Sequence, residues 1–304
     1  FTVQELLNQG DAVIAQPDPG WVCWLATVGQ REGVGLFAAP IEVGPVLQRD
    51  LFSKKASVVL TSATLRTGRD FQYIKGRLGL EDPREVALDS PFSYRDAALV
   101  LVPRDAPEPQ RPGGARVLEE ALAELCAASQ GRALALFTSH ASLQSAYRTL
   151  TQVLEPQGIR VLAQGVSGST HQLLQRLRTE PNTVLLGTSS FWEGVDVVGE
   201  ALSLLVITRL PFTVPTEPVF AARSELFEEP FREYAVPQAV LRFRQGFGRL
   251  IRSKTDRGVA VVLDPRVSSK NYGGAFLESL PAAPLKHCLL REAPKLTAQW
   301  LQSN

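Results

Sequence analysis

The nine residues QGFGRLIRS, positions 245–253, set one amide and two guanidinium groups in a short apolar run. Gln245, Arg249 and Arg252 follow at steps of four and three, the spacing that puts side chains on one face of a helix. Arg242 extends that face by one more step of three. A guanidinium is a planar, permanently charged fork that matches the oxygens of a phosphate. The face is therefore either a phosphate site or a set of basic side chains in water. Val240, Phe243, Phe247 and Leu250 form an apolar stripe beside it that would dock the helix on a sheet. Gly246 and Gly248 favour the phosphate site, because a glycine inside a helix costs about 1 kcal/mol relative to alanine. A solvated helix gains nothing for that cost, whereas close approach by a ligand or a partner chain requires it.

Three apolar runs end in small hydroxylated residues. ALALFTSH ends in Thr138, Ser139 and His140; TVLLGTSS ends in Thr188, Ser189 and Ser190; VVLTSATL carries Ser62 and Thr64. Hydroxyls and backbone N–H groups at the start of a following helix suit a phosphate oxygen, and the same side chains serve equally as helix caps. SSFWEGVDVVG, residues 189–199, places Phe191 and Trp192 beside Glu193, Gly194 and Asp196. Aromatics at such a point either pack into the core or stack on bases. An acid beside a glycine can orient a water or a hydroxyl.

The elements that must hold these residues are legible in outline. WVCWLATV and GVGLFAAPI around GQRE predict a hairpin, and ASVVLTSATL predicts a buried strand over Val58–Leu60. DAPEPQRPGG, residues 105–114, reads as a loop. From there strands alternate with helices. RALALFTS is followed by HASLQSAYRTLTQVLEPQG, closed by Pro156 and Gly158, and IRVLAQG by STHQLLQRLRTE, which Ser169 or Thr170 caps. NTVLLGTSS and ALSLLVITRLPF are strands, VPQAVLRFRQGFGRLIR is a helix with Pro237 near its first turn, and GVAVVLD reads as the last strand before a short helix, GGAFLESL. The pattern predicts an α/β fold, a mostly parallel sheet with helices on both faces, preceded by a short hairpin-containing segment. Ligands bind such sheets at the carboxyl ends of the strands, where the hydroxylated residues fall.

Composition narrows the partners. The chain has 304 residues, 44% hydrophobic and 21% charged, with a net charge of +1, so no global field draws it to nucleic acid or membrane. A basic site must be local, and residues 242–257 carry six basic side chains against one acid. Cys23, Cys126 and Cys288 form no CxxC pair and share no ligand spacing with the three histidines, so neither a metal site nor a disulfide framework is expected. No apolar run reaches the roughly 18 residues of a membrane span, and no signal peptide opens the chain; a cytoplasmic protein with no membrane partner is expected. The chain starts at Phe1 and contains no methionine, which suggests part of a longer protein.

Taken in order, the motifs resemble the second motor domain of superfamily 2 helicases, in particular the DinG branch of the DinG/XPD group. The resemblance rests on LTSATL (motif III), ALFTS (motif IV), GTSSFWEGVDVVG (motif V), ITRLPF, and QGFGRLIRSKTDRGVAVVLDPRV with its Q-x-x-G-R-x-x-R (motif VI), and runs from about residue 35 to about 282. It implies a RecA-like sheet. It divides the chain into residues 1–68, the trailing part of motor domain 1 with motif III, and residues 69–304, motor domain 2. Gln245, Arg249 and Arg252 match residues that face ATP and its Mg²⁺ bound mainly on motor domain 1. There an arginine finger is worth about 10³ to 10⁵ in rate. Glu193, Gly194 and Asp196, with Ser62 and Thr64, would couple the nucleotide site to the DNA track and to domain closure. Thr138, Ser139, Thr188, Ser189, Trp192 and Arg242 would bind single-stranded DNA.

No G-x-x-x-x-G-K-[ST] loop and no D-E-A-H box occur in the sequence. Iron–sulfur cysteines of the family would lie upstream of this segment. The chain is thus expected to hold half of an ATPase site and to neither hydrolyse ATP nor unwind DNA by itself. The alternatives are a DNA-binding RecA-like module of a DinG-related nuclease fusion, or an unrelated doubly wound enzyme whose arginine helix binds a phosphorylated metabolite in a closed pocket.

Overall fold

The computed structural model describes residues 19–28, 33–67, 70–192 and 202–303. The chain divides into two compact units, Phe1–Val86 with Phe212–Gln238, and Ala87–Pro211 with Ala239–Asn304.

In the first unit, β1 (Trp21–Val28) and β2 (Gly33–Pro40) form the antiparallel hairpin, with Trp24 opposite Phe37 and Leu25 opposite Leu36. Trp24 and Phe37 stack at 5.5 Å on one face. Residues 212–238 return to this unit, where the Arg223 guanidinium donates to the carbonyls of Ile41 (2.9 Å) and Pro40 (3.2 Å). A second aromatic group gathers Phe220, Tyr234 and Phe227, and Arg77 lies over the Tyr234 ring. The strand expected at Val58–Leu60 does not form, and Val59 is 86% exposed. A strand exists only where its N–H and C=O groups find a ladder, and among the described residues of this unit β1 and β2 pair with each other alone.

The second unit holds a seven-stranded, all-parallel sheet in the order β5-β6-β4-β7-β8-β3-β9. Its strands are β3 (Ala98–Pro103), β4 (Ala133–Leu136), β5 (Arg160–Ala163), β6 (Thr183–Gly187), β7 (Leu204–Ile207), β8 (Gly258–Val262) and β9 (Leu285–Cys288). This is the expected α/β, RecA-like architecture. Two strands were not anticipated. β3 is a continuous buried apolar run that periodicity could have found. β9, LKHC, is a short, half-polar edge strand that pairs only with β3, so GVAVVLD (β8) is not the last.

The residues of β3, β4, β6, β7 and β8 are all buried, the signature of a sheet covered on both faces. Leu99, Leu101, Ala133, Ala135, Val184, Leu186, Val206 and Val261 share one core with α1 (Gly114–Ala128), α2 (His140–Leu154) and α6 (Ala293–Gln302). The intervening residues face the other layer, to which α5 (Val236–Phe247) contributes Val240, Phe243 and Phe247. Helix α3 (Thr170–Thr179) starts at a capping box: Ser169 Oγ accepts from Gln172 N, and Gln172 Oε1 accepts from Ser169 N at 2.9 Å. Of the two expected caps, Ser169 is the one used. Gly158, in the left-handed region at φ 76°, closes the turn after α2 as its sequence position suggested.

The two glycines of QGFGRLIRS have different roles. A Cβ on Gly246 would lie 2.9 Å from Trp192 Cε3 and 3.1 Å from Leu136 Cδ1, both in the core, whereas on Gly248 it would meet only backbone oxygens at 3.5 Å. Gly246 therefore makes room inside its own unit for the indole of Trp192. We expect Gly246→Ala to destabilise the protein by about 1–3 kcal/mol through overpacking, despite alanine's better helix propensity. Gly248→Ala should change stability by less than about 0.5 kcal/mol. Urea unfolding of the two variants tests the contrast.

Candidate functional site

In a parallel sheet every strand carboxyl end lies on one edge, so the segments that follow β4, β5, β6, β7 and β8 emerge side by side. After β4, Thr138 and Ser139 are exposed. Ser139 is also the N-cap of α2, its Oγ accepting from Ser142 N at 3.1 Å and donating to Ser142 Oγ at 3.0 Å. Capping and exposure thus coexist at this residue.

After β6 the chain enters a single helical turn, α4 (Ser189–Trp192). Ser189 and Ser190 are exposed, whereas Thr188 is only 3% exposed and is held from β5. Gln164 Oε1, just past the end of β5, accepts from Thr188 N at 2.8 Å and from Thr188 Oγ1 at 3.0 Å. Gln164 Nε2 donates to Ser190 Oγ at 2.9 Å, and His140 Nε2 lies 3.4 Å from Thr188 Oγ1. The Thr188 hydroxyl is therefore turned inward, and any contact it makes with a ligand must pass through its neighbours. Sequence analysis did not single out Gln164. Its place at the end of the apolar run IRVLA was the available signal.

Trp192 is not a surface platform. It is 3% exposed, its ring lies against Gly246, and its Nε1 donates to Phe137 O at 3.1 Å. Of the two roles open to the aromatics at this turn, Phe191 and Trp192 both take the core one, while Ser189 and Ser190 of the same turn stay exposed. Glu193, Gly194 and Asp196 lie outside the described residues.

Gln245, Arg249 and Arg252 do not share one helical face, because α5 ends at Phe247. The chain then tightens into turns with bonds from Arg249 N to Gly246 O (3.1 Å) and from Leu250 N to Phe247 O (3.0 Å). That i→i+3 winding displaces Arg249 from the position four residues along an α-helix would give it. Arg249 is buried, 7% exposed, and its Nη2 donates to Trp192 O at 3.1 Å. The guanidinium is thus fixed to the turn that opens motif V. Arg252 is half-buried on a loop organised by Asp256, whose carboxylate accepts from Arg252 N (2.7 Å), Ser253 N (2.9 Å) and Ser253 Oγ (2.6 Å). Arg242 and Gln245 are half-buried on α5. Burial pushes the Tyr94 phenol above its usual value, partly offset by a hydrogen bond from Ser90 and by the charges of Arg244 and Arg252.

Ser62 and Thr64 belong to the first unit. Ser62 Oγ accepts from Thr64 N at 3.1 Å and lies 3.2 Å from Thr64 Oγ1, a local hydroxyl turn. No group of three or more histidine, cysteine or acidic side chains able to hold a metal occurs among the described residues, and none of their helices is long and apolar enough to cross a membrane.

Residues 122–283, more than half of the chain, match the helicase C-terminal domain family, and the chain belongs to it. It is of the DinG/XPD type of superfamily 2. It is 41% identical over 263 residues to the 3′-5′ exonuclease DinG of Bacillus subtilis, covering 83% of this chain and 28% of that protein. It is 40% identical over 270 residues to the ATP-dependent DNA helicase YoaA of Escherichia coli (88% and 42%). It is 37% identical over 278 residues to the ATP-dependent helicase DinG of Mycobacterium tuberculosis H37Rv (88% and 41%). A solved structure of apo XPD shares the fold with a TM-score of 0.62 at 16% identity, covering 94% of this chain and 56% of that one. The chain spans less than half the length of the curated relatives it matches.

Asp264, after β8, braces this edge. It is 4% exposed, and its carboxylate accepts from Leu210 N (2.8 Å), Arg266 N (3.0 Å) and Arg266 Nη2 (2.6 Å). Burial alone would raise its carboxyl; Arg266 and the Leu210 N–H outweigh that and hold it below the usual carboxylate range. A depressed folded-state value means that this stabilisation is present above the unfolded pKa of about 3.9 and is lost as pH falls through the lower folded value. Asp264→Asn should therefore cost about 1–3 kcal/mol at pH 7 and flatten the loss of stability below about pH 4. Urea unfolding across that pH range measures both effects.

Proposed function

We propose that the chain is the second motor domain of an ATP-dependent 5′→3′ DNA helicase of the DinG type. In this reading it supplies arginines to ATP bound mainly on motor domain 1 and a track for single-stranded DNA. The observation that carries the reading is the joining of the two halves of the site. Arg249 is hydrogen-bonded to Trp192 O, at the end of the same short turn that begins with Ser189 and Ser190. In this reading a change at the guanidinium would reach the strand-end hydroxyls through the four-residue turn between them.

The roles divide by exposure. Arg252, half-buried on its loop, suits the finger that meets the γ-phosphoryl oxygens, and Arg249 suits the coupling of that event to motif V. Gln245 lies on the last helical turn before them. Ser62 and Thr64, with Glu193, Gly194 and Asp196, are assigned to coupling. Thr138, Ser139 and Ser189 are assigned to DNA phosphates, with Thr188 acting behind them and Arg242 adding charge. ATP and Mg²⁺ are substrates of the whole protein. Guanidinium and hydroxyl donors fit phosphate oxygens.

The name of the Bacillus subtilis relative favours a second reading, in which this chain is the DNA-binding module of a DinG-related nuclease fusion. Exonuclease activity of the whole protein that survives loss of ATP hydrolysis would select it.

In the whole protein, Arg252→Ala should lower DNA-stimulated ATP hydrolysis by about 10³-fold or more while leaving the affinity for a single-stranded oligonucleotide within a few-fold. Arg249→Ala should likewise abolish hydrolysis and spare binding, with Arg249→Lys as the control for lost packing. This chain alone should show no ATP turnover and should bind single strands weakly, with strong salt dependence. Turnover by the chain alone, or hydrolysis that survives Arg252→Ala with binding lost, would sink this assignment.

A further inference from the structure

The hydrogen bonds around Gln164 have only one consistent direction. Thr188 N is a backbone donor, so the Gln164 atom 2.8 Å from it must be the oxygen, which fixes the amide orientation. The hydroxyl of Thr188, 3.0 Å from that same oxygen, must then spend its proton on Gln164. Thr188 Oγ1 is left as an acceptor, and the His140 Nε2 3.4 Å away can approach it only as a donor. The amide nitrogen of Gln164 donates to Ser190 Oγ at 2.9 Å. Ser190 therefore uses a lone pair inward and keeps its own proton for an outside acceptor.

We infer that Gln164 is a positioning residue that sets the polarity of the β6 carboxyl end, making the exposed Ser190 hydroxyl an outward donor to a phosphodiester oxygen of single-stranded DNA. The inference rests on the DNA-track reading proposed above and deepens it. It moves the donating role from Thr188, whose proton is committed, to Ser190. It also gives Gln164 a job that a hydrophobic strut of equal size could not do. An amide both accepts from Thr188 and donates to Ser190, whereas a carboxylate in its place would accept from both and turn the Ser190 proton inward.

The test is single-stranded oligonucleotide binding by the full chain at fixed low salt, with wild type, Ser190→Ala, Ser190→Thr, Gln164→Glu and the Gln164→Glu/Ser190→Ala double variant. Ser190→Ala should weaken binding by about 10-fold, the loss of one hydrogen bond to a charged acceptor. Ser190→Thr should keep near wild-type affinity. Gln164→Glu should weaken binding at least as much as Ser190→Ala, and the double variant should be much weaker in effect than the product of the two, because both changes remove one donor. A purely structural Gln164 would give independent, multiplying effects instead. Ser190 is exposed, so its two variants carry the test even if Gln164→Glu fails to fold. Wild-type binding with Ser190→Ala unchanged, or multiplying effects, overturns this inference and leaves the DNA track standing. A wild-type chain that binds no single strand overturns both.

Discussion

The structure depends on a parallel ladder in which β4 is paired on both sides, with β6 and β7. Parallel pairing lines the strand carboxyl ends up on one edge, and burial of both faces leaves no other outlet for polar groups. The hydroxyls after β4, the amide after β5, the hydroxyls after β6 and the carboxylate after β8 all meet at that edge for this reason. Residues far apart in sequence become hydrogen-bond neighbours there, as Gln164 and Thr188 do.

Crowding beneath the edge decides which of these groups can reach a ligand. Trp192 fills the space above Leu136 that Gly246 leaves open, and its indole N–H is tied to Phe137 O. Arg249 closes the same region by bonding to the Trp192 carbonyl. A large aromatic, a glycine and a guanidinium thus interlock, so motif VI and the first turn of motif V form one packed unit. The coupling proposed for these motifs needs such a unit, since packed side chains transmit displacement where solvated ones absorb it.

The alternation of apolar runs with amphipathic patterns made the sheet readable, because strands buried on both faces need continuous apolar sequence. The same logic failed at Val58–Leu60, whose run is apolar but finds no ladder among the described residues of its unit, and it could not see β9, where an edge position permits LKHC. The hydroxylated strand ends were legible as a site by position. Gln164 obeyed the same rule and was overlooked, since one amide after a strand carries no spacing signal of its own.

Sequence by itself determined the fold class, a helix start capped by Ser169 or Thr170, the stop at Gly158, the apolar stripe of α5 and the residue types of the candidate site, because periodicity and local hydrogen bonding act within a few residues. Only tertiary structure decided orientation. It ended α5 at Phe247 and turned Arg249 inward, gave Gly246 to Trp192 in place of an outside partner, and committed the Thr188 proton to Gln164. Each of these depends on what another strand or helix brings to the same few ångströms, and that information lies in the packing of distant segments.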